Sequence, residues 1–99
     1  MKKNELKKYM EILQKNQKFI HEHYHVKSVG IFGSIVRGDS NKKSDIDILI
    51  ELSEPISFFM FIELEEFLKK KLRRKVDLVT KKALKPIIKK NILKEVVYT

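Results

Sequence analysis

The fold is decided by the stretch Gly33-Ser34-Ile35-Val36-Arg37-Gly38-Asp39-Ser40-Asn41-Lys42-Lys43-Ser44-Asp45-Ile46-Asp47, which joins two apolar segments. It begins with a Gly-Ser turn and finishes with two aspartates, Asp45 and Asp47. Because a strand directs residues i and i+2 to the same face, we expect these carboxylates side by side. Adjacent carboxylates repel each other, and a hard divalent cation such as Mg²⁺ makes the arrangement favourable. The stretch therefore predicts a metal site.

The turn at Gly33 and Ser34 predicts a phosphate-binding position beside that metal site. A glycine at the end of a strand lets a ligand approach the backbone closely. The amides that open the next helical turn carry partial positive charge and can bind a phosphate. A Gly-Ser pair alone is more often a plain turn, so this prediction depends on the aspartates downstream.

Hydrophobic patterning outside this stretch predicts alternating helices and strands. The predicted elements are a helix from Asn4 to about His23, strand Val26–Phe32, a helical turn Ser34–Arg37, a strand from Asp45 to Leu52, a helix after Ser57, strand Lys75–Val79 and a helix from Pro86 that frays toward Tyr98. No repeat or linker interrupts them, so we expect one domain over residues 1–99.

Single residues within these elements have predicted roles. Asn4 and Ser57 are suitable N-caps because their side-chain oxygens can accept from free backbone amides. Gly30, inside the first strand, indicates close approach of a helix or a ligand. Arg73 stands where a glycine commonly ends a helix, which predicts a slightly strained C-cap.

The apolar faces follow from helical and strand spacing. One face of the second strand is predicted to lie in the core. The other face is predicted to begin with the metal site and to continue, at Leu49 and Glu51, as ordinary strand surface. In the following helix one apolar stripe is predicted. The core face is Ile46, Ile48, Ile50 and Leu52, and the helix stripe is Phe58, Phe61, Ile62, Leu68 and Leu72.

Asp77 is the predicted third carboxylate. It lies in the short strand Lys75–Val79 and faces opposite to Val76 and Leu78. It could complete a second metal site or accept the proton of an acceptor hydroxyl. The simpler alternatives are a solvated strand end for the Asp45 and Asp47 pair and an exposed edge charge for Asp77.

Composition bounds the class of protein. The 99 residues are 42% hydrophobic and 35% charged, with no cysteine and a formal charge of +9. No run approaches the roughly 20 apolar residues of a membrane span, and the first residues do not resemble a signal peptide. We expect a cytoplasmic protein without disulfides or a membrane partner.

Two further clusters are weighed as ligand sites. His21, His23 and His25 close the first helix, and we expect solvated histidines there instead of a zinc site. The segment Lys69 to Lys75 has six basic residues among seven, which favours nucleic-acid binding. Since a helix would spread these charges around its axis, and no aromatic platform accompanies them, we expect a solvated helix end instead.

The combined motif is specific where its parts are not. Gly33-Ser34, ten residues, Asp45-x-Asp47 and then Asp77 in Val76-Asp77-Leu78-Val79 resemble the signature of the DNA polymerase β-like nucleotidyltransferase superfamily. Together with Leu84-Lys85-Pro86, they resemble the minimal nucleotidyltransferase (MNT) antitoxins over nearly the whole chain. The resemblance implies an α/β (α+β) fold in which helices flank a small mixed β-sheet.

The resemblance also implies a function. A member of this group uses ATP and Mg²⁺, with two ions expected, and transfers AMP to a tyrosine hydroxyl of a HEPN-type ribonuclease toxin. By this resemblance Gly33 and Ser34 hold the triphosphate, and Asp45, Asp47 and Asp77 are the catalytic and metal-binding carboxylates. Arg37 either contacts phosphate or anchors the loop.

Three functions remain open from the sequence. The first is an active nucleotidyltransferase that modifies a partner protein, in a possible hetero-oligomer. The second is a non-catalytic antitoxin or adaptor that neutralises its partner by forming a complex. The third, which we consider the weakest, is a basic nucleic-acid-binding module.

Overall fold

The computed structural model describes residues 2–41 and 43–99, with side chains from Glu5 onward except that of residue 42. In chain order the elements are α1 (Lys2–Tyr24), β1 (Val26–Phe32), α2 (Ser34–Arg37), β2 (Ile46–Leu52), α3 (Phe58–Leu72), β3 (Val76–Thr80), a 3-10 turn (Lys81–Ala83), α4 (Pro86–Glu95) and β4 (Val97–Tyr98). The predicted α/β (α+β) class is confirmed. None of the described helices combines the length and apolar character needed to cross a membrane.

The four strands form one mixed sheet in the order β3-β2-β1-β4. β1 is antiparallel to both β2 and β4, whereas β2 and β3 are parallel. The beginnings of β2 and β3 and the end of β1 therefore lie at the same edge of the sheet. Phe32 pairs with Asp47, and Asp47 pairs in turn with Asp77, so this edge collects the predicted site residues.

The core lies where α1 and α3 pack against the sheet. Its main members are Tyr9, Leu13, Ile20, Val29, Ile31, Ile46, Ile48, Ile50, Leu64, Leu68 and Leu72. Leu49, predicted for the strand surface, is only 1% exposed. β2 is an inner strand, and at Leu49 its second face is covered as well. That part of the surface prediction is wrong.

The predicted apolar stripe of α3 is partly wrong. Phe58 is 72% exposed and Ile62 is 38% exposed, while Leu64, Leu68 and Leu72 are the buried residues of this helix. These three recur every four residues, so they form one face toward α1 and β3. Phe61, also predicted for the stripe, is partly buried against the core, whereas Phe58 and Ile62 face water.

The predicted caps have different outcomes. The Ser57 hydroxyl accepts a hydrogen bond from the Met60 amide at 3.1 Å, so this N-cap is confirmed. Arg73 ends α3 in the left-handed region with φ 54°, as expected for a residue at a glycine position. The N-cap at Asn4 is wrong because α1 already includes Lys2. The Asn4 side chain itself lies outside the described part.

The C-terminal end differs most from the prediction. Pro86 opens α4 as expected, but the chain after Glu95 forms β4 instead of a fraying helix end. A Cβ atom at Gly30 would lie 2.6 Å from a methyl carbon of Val96, so the close approach at Gly30 is made by the C-terminal segment. A strand of two residues is too short to produce a period-two pattern, so no local pattern predicts β4.

Candidate active site

An acidic edge is formed where β2 and β3 begin. The Ile46 amide donates to the Lys75 carbonyl at 2.9 Å, which fixes the parallel register. That register places Asp47 directly opposite Asp77, while Asp45 precedes β2 by one residue. The structure therefore places Asp47 and Asp77 side by side on neighbouring strands, with Asp45 just before β2.

Asp47 is the carboxylate that this arrangement perturbs. Burial raises its pKa first, and the negative charges of Asp77 and Asp45 raise it further, to about 6. The positive charge of Arg37 opposes this shift but does not cancel it. An ionised Asp47 is therefore surrounded by more negative than positive charge, which is unfavourable for the protein alone and favourable for a bound cation.

Gly33 lies directly against this carboxylate. A Cβ atom at position 33 would be 2.0 Å from Oδ2 of Asp47, and the backbone of Gly33 has φ 81° and ψ −150°. Only glycine adopts this conformation readily. Its carbonyl accepts from the amides of Val36 and Arg37 at 3.0 Å each, which holds the tight turn into α2. The predicted phosphate-binding turn and the predicted metal ligands are thus in contact.

Arg37 is held by two carboxylates. Its Nη1 donates to Glu95 at 2.7 Å, and its Nε donates to Asp39 at 3.4 Å. The pair with Glu95 ties the turn after β1 to the end of α4. Sequence reasoning missed Glu95, since a contact spanning 58 residues has no local pattern.

The acidic edge is compatible with Mg²⁺, although the protein supplies only part of a coordination shell. Among residues 2–41 and 43–99, no three His, Cys, Asp or Glu side chains are close enough to form a metal cage. Mg²⁺ is commonly bound through one or two carboxylates, with substrate phosphates and water as its other ligands. The oxygen donors and the excess negative charge at Asp47 fit such a site.

The histidines and the basic segment have separate partners. A ring nitrogen of His21 hydrogen-bonds to the Val26 carbonyl at 2.8 Å, whereas His25 lies 3.3 Å from Glu54. In the segment Lys69 to Lys75, the first lysine pairs with glutamates of its own helix and Arg74 is largely buried. Two of the six basic residues of this segment therefore pair with carboxylates of the chain itself.

Two cavities lie away from the acidic edge. One, of about 440 Å³, lies between α1 and the first half of β1. The other, of about 660 Å³, is lined by Glu51, Thr80 and Lys81 at the opposite end of β2 and β3. These two cavities do not include the carboxylates. The candidate site is instead located by the raised pKa of Asp47 and by the strained backbone of Gly33.

A mixed sheet with such an edge is the arrangement expected of the nucleotidyltransferase class. The family model of the nucleotidyltransferase domain matches residues 5–99, and the chain belongs to this family. The predicted family is therefore confirmed.

Similar proteins agree with this placement. The protein adenylyltransferase MntA of Thermococcus cleftensis is 45% identical over 93 residues, which cover 94% of each chain. A solved structure described as a candidate minimal nucleotidyltransferase has a TM-score of 0.72 and 25% identity, covering 89% of this chain and 93% of that one. The complex of a tri-AMPylated Shewanella oneidensis HEPN toxin with its MNT antitoxin gives a TM-score of 0.61 at 19% identity, covering 99% of this chain and 71% of that chain, and supports the fold.

Proposed function

We propose that this chain is a protein adenylyltransferase that moves AMP from ATP to a hydroxyl group of a partner protein, with Mg²⁺ as its cofactor. The observation that carries this proposal is the contact between Gly33 and the Asp47 carboxylate, with Asp77 opposite Asp47. In this proposal one ligand contacts both the turn at Gly33 and the acidic edge. The Thermococcus relative, named a protein adenylyltransferase, supports the same activity.

In this proposal Asp77 has two roles, and each of the other residues has one. Gly33 gives the triphosphate room to reach the backbone, and the amides that open α2, with the Ser34 hydroxyl, bind its oxygens. Asp45, Asp47 and Asp77 hold the metal ions. When bound, Mg²⁺ neutralises phosphate charge and stabilises the charge that develops on the entering and leaving oxygens. Arg37 keeps the turn in place through Glu95.

The transfer is an in-line displacement at the α-phosphorus of ATP. The acceptor oxygen forms a bond to this phosphorus while the bond to the bridging oxygen of the β-phosphate breaks, and pyrophosphate leaves with that electron pair. The proton of the hydroxyl passes to a carboxylate oxygen of Asp77, which lies at the open edge of the sheet. The products are an AMP ester of the partner and pyrophosphate.

The proposed acceptor is a tyrosine of a HEPN-type ribonuclease toxin, and the chain then acts as the antitoxin of a toxin–antitoxin pair. The support is a solved complex of an MNT antitoxin with a tri-AMPylated HEPN toxin. The antitoxin of that complex has the same fold as this chain.

The test is incubation of the purified chain with α-labelled ATP, Mg²⁺ and a purified HEPN-type toxin. We expect label on the partner with the wild type and none with Asp47→Asn or Asp45→Asn, because the amide removes a charge but little volume. Glu51→Gln, the same change at the other end of β2, is the matched control and should label normally. Neutralisation of the toxin without any labelling would instead favour the non-catalytic antitoxin.

A further inference from the structure

Arg74 is a buried arginine beside the acidic edge. It lies two residues before β3, and its side chain is 11% exposed. Its guanidinium donates from Nε to the Ser44 carbonyl at 2.8 Å and from Nη2 to the Asn41 carbonyl. One side chain thus holds two backbone positions of the segment that leads into Asp45.

The same guanidinium is fixed from the other side by α1. Its Nη1 donates to Oε1 of Glu5 at 2.9 Å and to the Tyr9 hydroxyl at 3.3 Å. The second oxygen of Glu5 accepts from the hydroxyl of Ser40, a buried residue, at 2.9 Å. Both carboxylate oxygens of Glu5 are therefore used, one toward Arg74 and one toward the loop itself.

This network determines where the first metal ligand lies. Asp45 comes directly after Ser44 and lies outside β2, so the sheet ladder does not hold it. The carbonyl that Arg74 holds belongs to the peptide bond between these two residues. A planar guanidinium with several fixed donors can hold two carbonyls in one geometry, whereas a lysine offers a single ammonium.

We propose that Arg74 is a positioning residue that fixes the Asp45 carboxylate for metal binding, with Glu5 and Ser40 as its anchors on α1 and the loop. This inference rests on the proposed function, because it assumes that Asp45 is a metal ligand. In this proposal Arg74 acts through Asp45 and is not itself a ligand of the metal or the nucleotide. Residues that orient metal ligands change metal affinity about 10- to 100-fold when they are replaced.

The decisive variant is Arg74→Lys, which retains the positive charge and loses the planar set of guanidinium donors. With Mn²⁺ as the probe and a non-hydrolysable ATP analogue present, we expect the dissociation constant for Mn²⁺ to rise about tenfold. In transfer assays the Mn²⁺ concentration for half-maximal rate should rise equally, while the rate at saturating Mn²⁺ changes less than about threefold. A merely structural role would not produce this separation.

Arg73→Lys is the matched control, since this neighbouring arginine is exposed and ends α3. It should bind Mn²⁺ like the wild type. Amide hydrogen exchange supplies a second readout without nucleotide or metal. The Ser44 amide, which donates to the Asn41 carbonyl, should exchange at least about tenfold faster in Arg74→Lys and not in Arg73→Lys.

The outcomes separate this inference from the proposed function. If the wild type binds Mn²⁺ and Arg74→Lys binds it equally well, the inference is overturned and the proposed function stands. If the wild type binds no Mn²⁺, the metal role of Asp45 is overturned and the inference with it. Should Arg74→Lys not fold, Ser40→Ala decides: weaker Mn²⁺ binding supports the network, and unchanged binding overturns it.

Discussion

The two ends of β2 carry the same kind of side chain in opposite surroundings. Asp47 and Glu51 are four residues apart and therefore on the same face of one strand. The neighbouring group comes from β3 in the first case and from the 3-10 turn that follows β3 in the second. Asp47 faces Asp77, whereas Glu51 lies 4.0 Å from the ammonium group of Lys81.

The difference supports the proposed ligand site at the Asp47 end of the strand. At the Glu51 end the protein supplies its own cation, and the ion pair is partly exposed to water. At the Asp47 end it supplies further carboxylates, and the pKa of Asp47 rises to about 6. A fold that balances charge at one end of a strand could balance it at the other. The imbalance at Asp47 fits the proposed binding of a cation together with the nucleotide.

The largest expected effect comes from a substitution in the acidic edge. Asp47→Asn should lower the rate of AMP transfer about a thousandfold, because it removes a proposed ligand of the metal that stabilises the transition state. This loss corresponds to about 4 kcal/mol of transition-state stabilisation. Initial rates with α-labelled ATP measure this directly. Glu51→Gln should retain the wild-type rate, and a comparable loss in that variant would remove the contrast between the two ends.

The next effect concerns the turn against Asp47. Gly33→Ala should destabilise the fold by about 3 kcal/mol, because it combines a strained backbone conformation with a clash against the carboxylate. Urea denaturation measures the free energy of unfolding.

Gly38→Ala is the control for this substitution. Gly38 also has φ 81°, with no atom within 4 Å of a Cβ there, and its backbone lies in the left-handed helical region. The cost at this position should be about 1 kcal/mol, from backbone strain alone. Equal losses in the two variants would mean that contact with Asp47 contributes nothing.

A smaller effect is the dependence of stability on pH. The pKa of Asp47 is raised from 3.8 to about 6 in the folded chain, so between these values the folded state binds more protons than the unfolded state. Its stabilising contribution is present below about pH 4 and is lost as pH rises through 6. Allowing for screening by water, we expect a loss of about 2 kcal/mol.

The variant Asp47→Asn isolates this contribution. Without metal, its free energy of unfolding relative to wild type should increase from pH 4 to pH 7, because the amide cannot ionise. Urea titrations at several pH values give the difference curve. A constant difference over that range would show that Asp47 is not perturbed by its neighbours.

The smallest effect is expected at the balanced end. Glu51→Gln should change the free energy of unfolding by less than about 0.5 kcal/mol, because partly exposed ion pairs contribute little. Thermal unfolding at low and high salt checks this. A loss above about 2 kcal/mol would indicate that the end near Lys81 is more than a solvated ion pair.

Much of this arrangement could be predicted from the sequence because it is local. The spacing of Asp45 and Asp47, the turn at Gly33 and the alternation around Asp77 are all visible within a few residues. β1 and α2 have the bounds that were predicted for them.

The remainder depends on contacts between distant residues. The pairs of Arg37 with Glu95 and of Arg74 with Glu5 span 58 and 69 residues, and no local pattern indicates them. In the sequence Arg74 is one of several basic residues in a row. Burial distinguishes it, and burial at the start of β3 depends on where α1 packs. β4 was missed for the same reason, since its pairing with β1 is long-range.

The most direct test of the acidic edge as a metal site is the effect of a divalent cation on the free energy of unfolding at pH 7.5. With Mn²⁺ and a non-hydrolysable ATP analogue at about 100 times their dissociation constants, the wild type should gain about 2.7 kcal/mol or more in free energy of unfolding. Asp47→Asn should start from a higher stability than the wild type and gain almost nothing. Equal gains in both proteins, or none in the wild type, would contradict the assignment of this edge as the metal and nucleotide site.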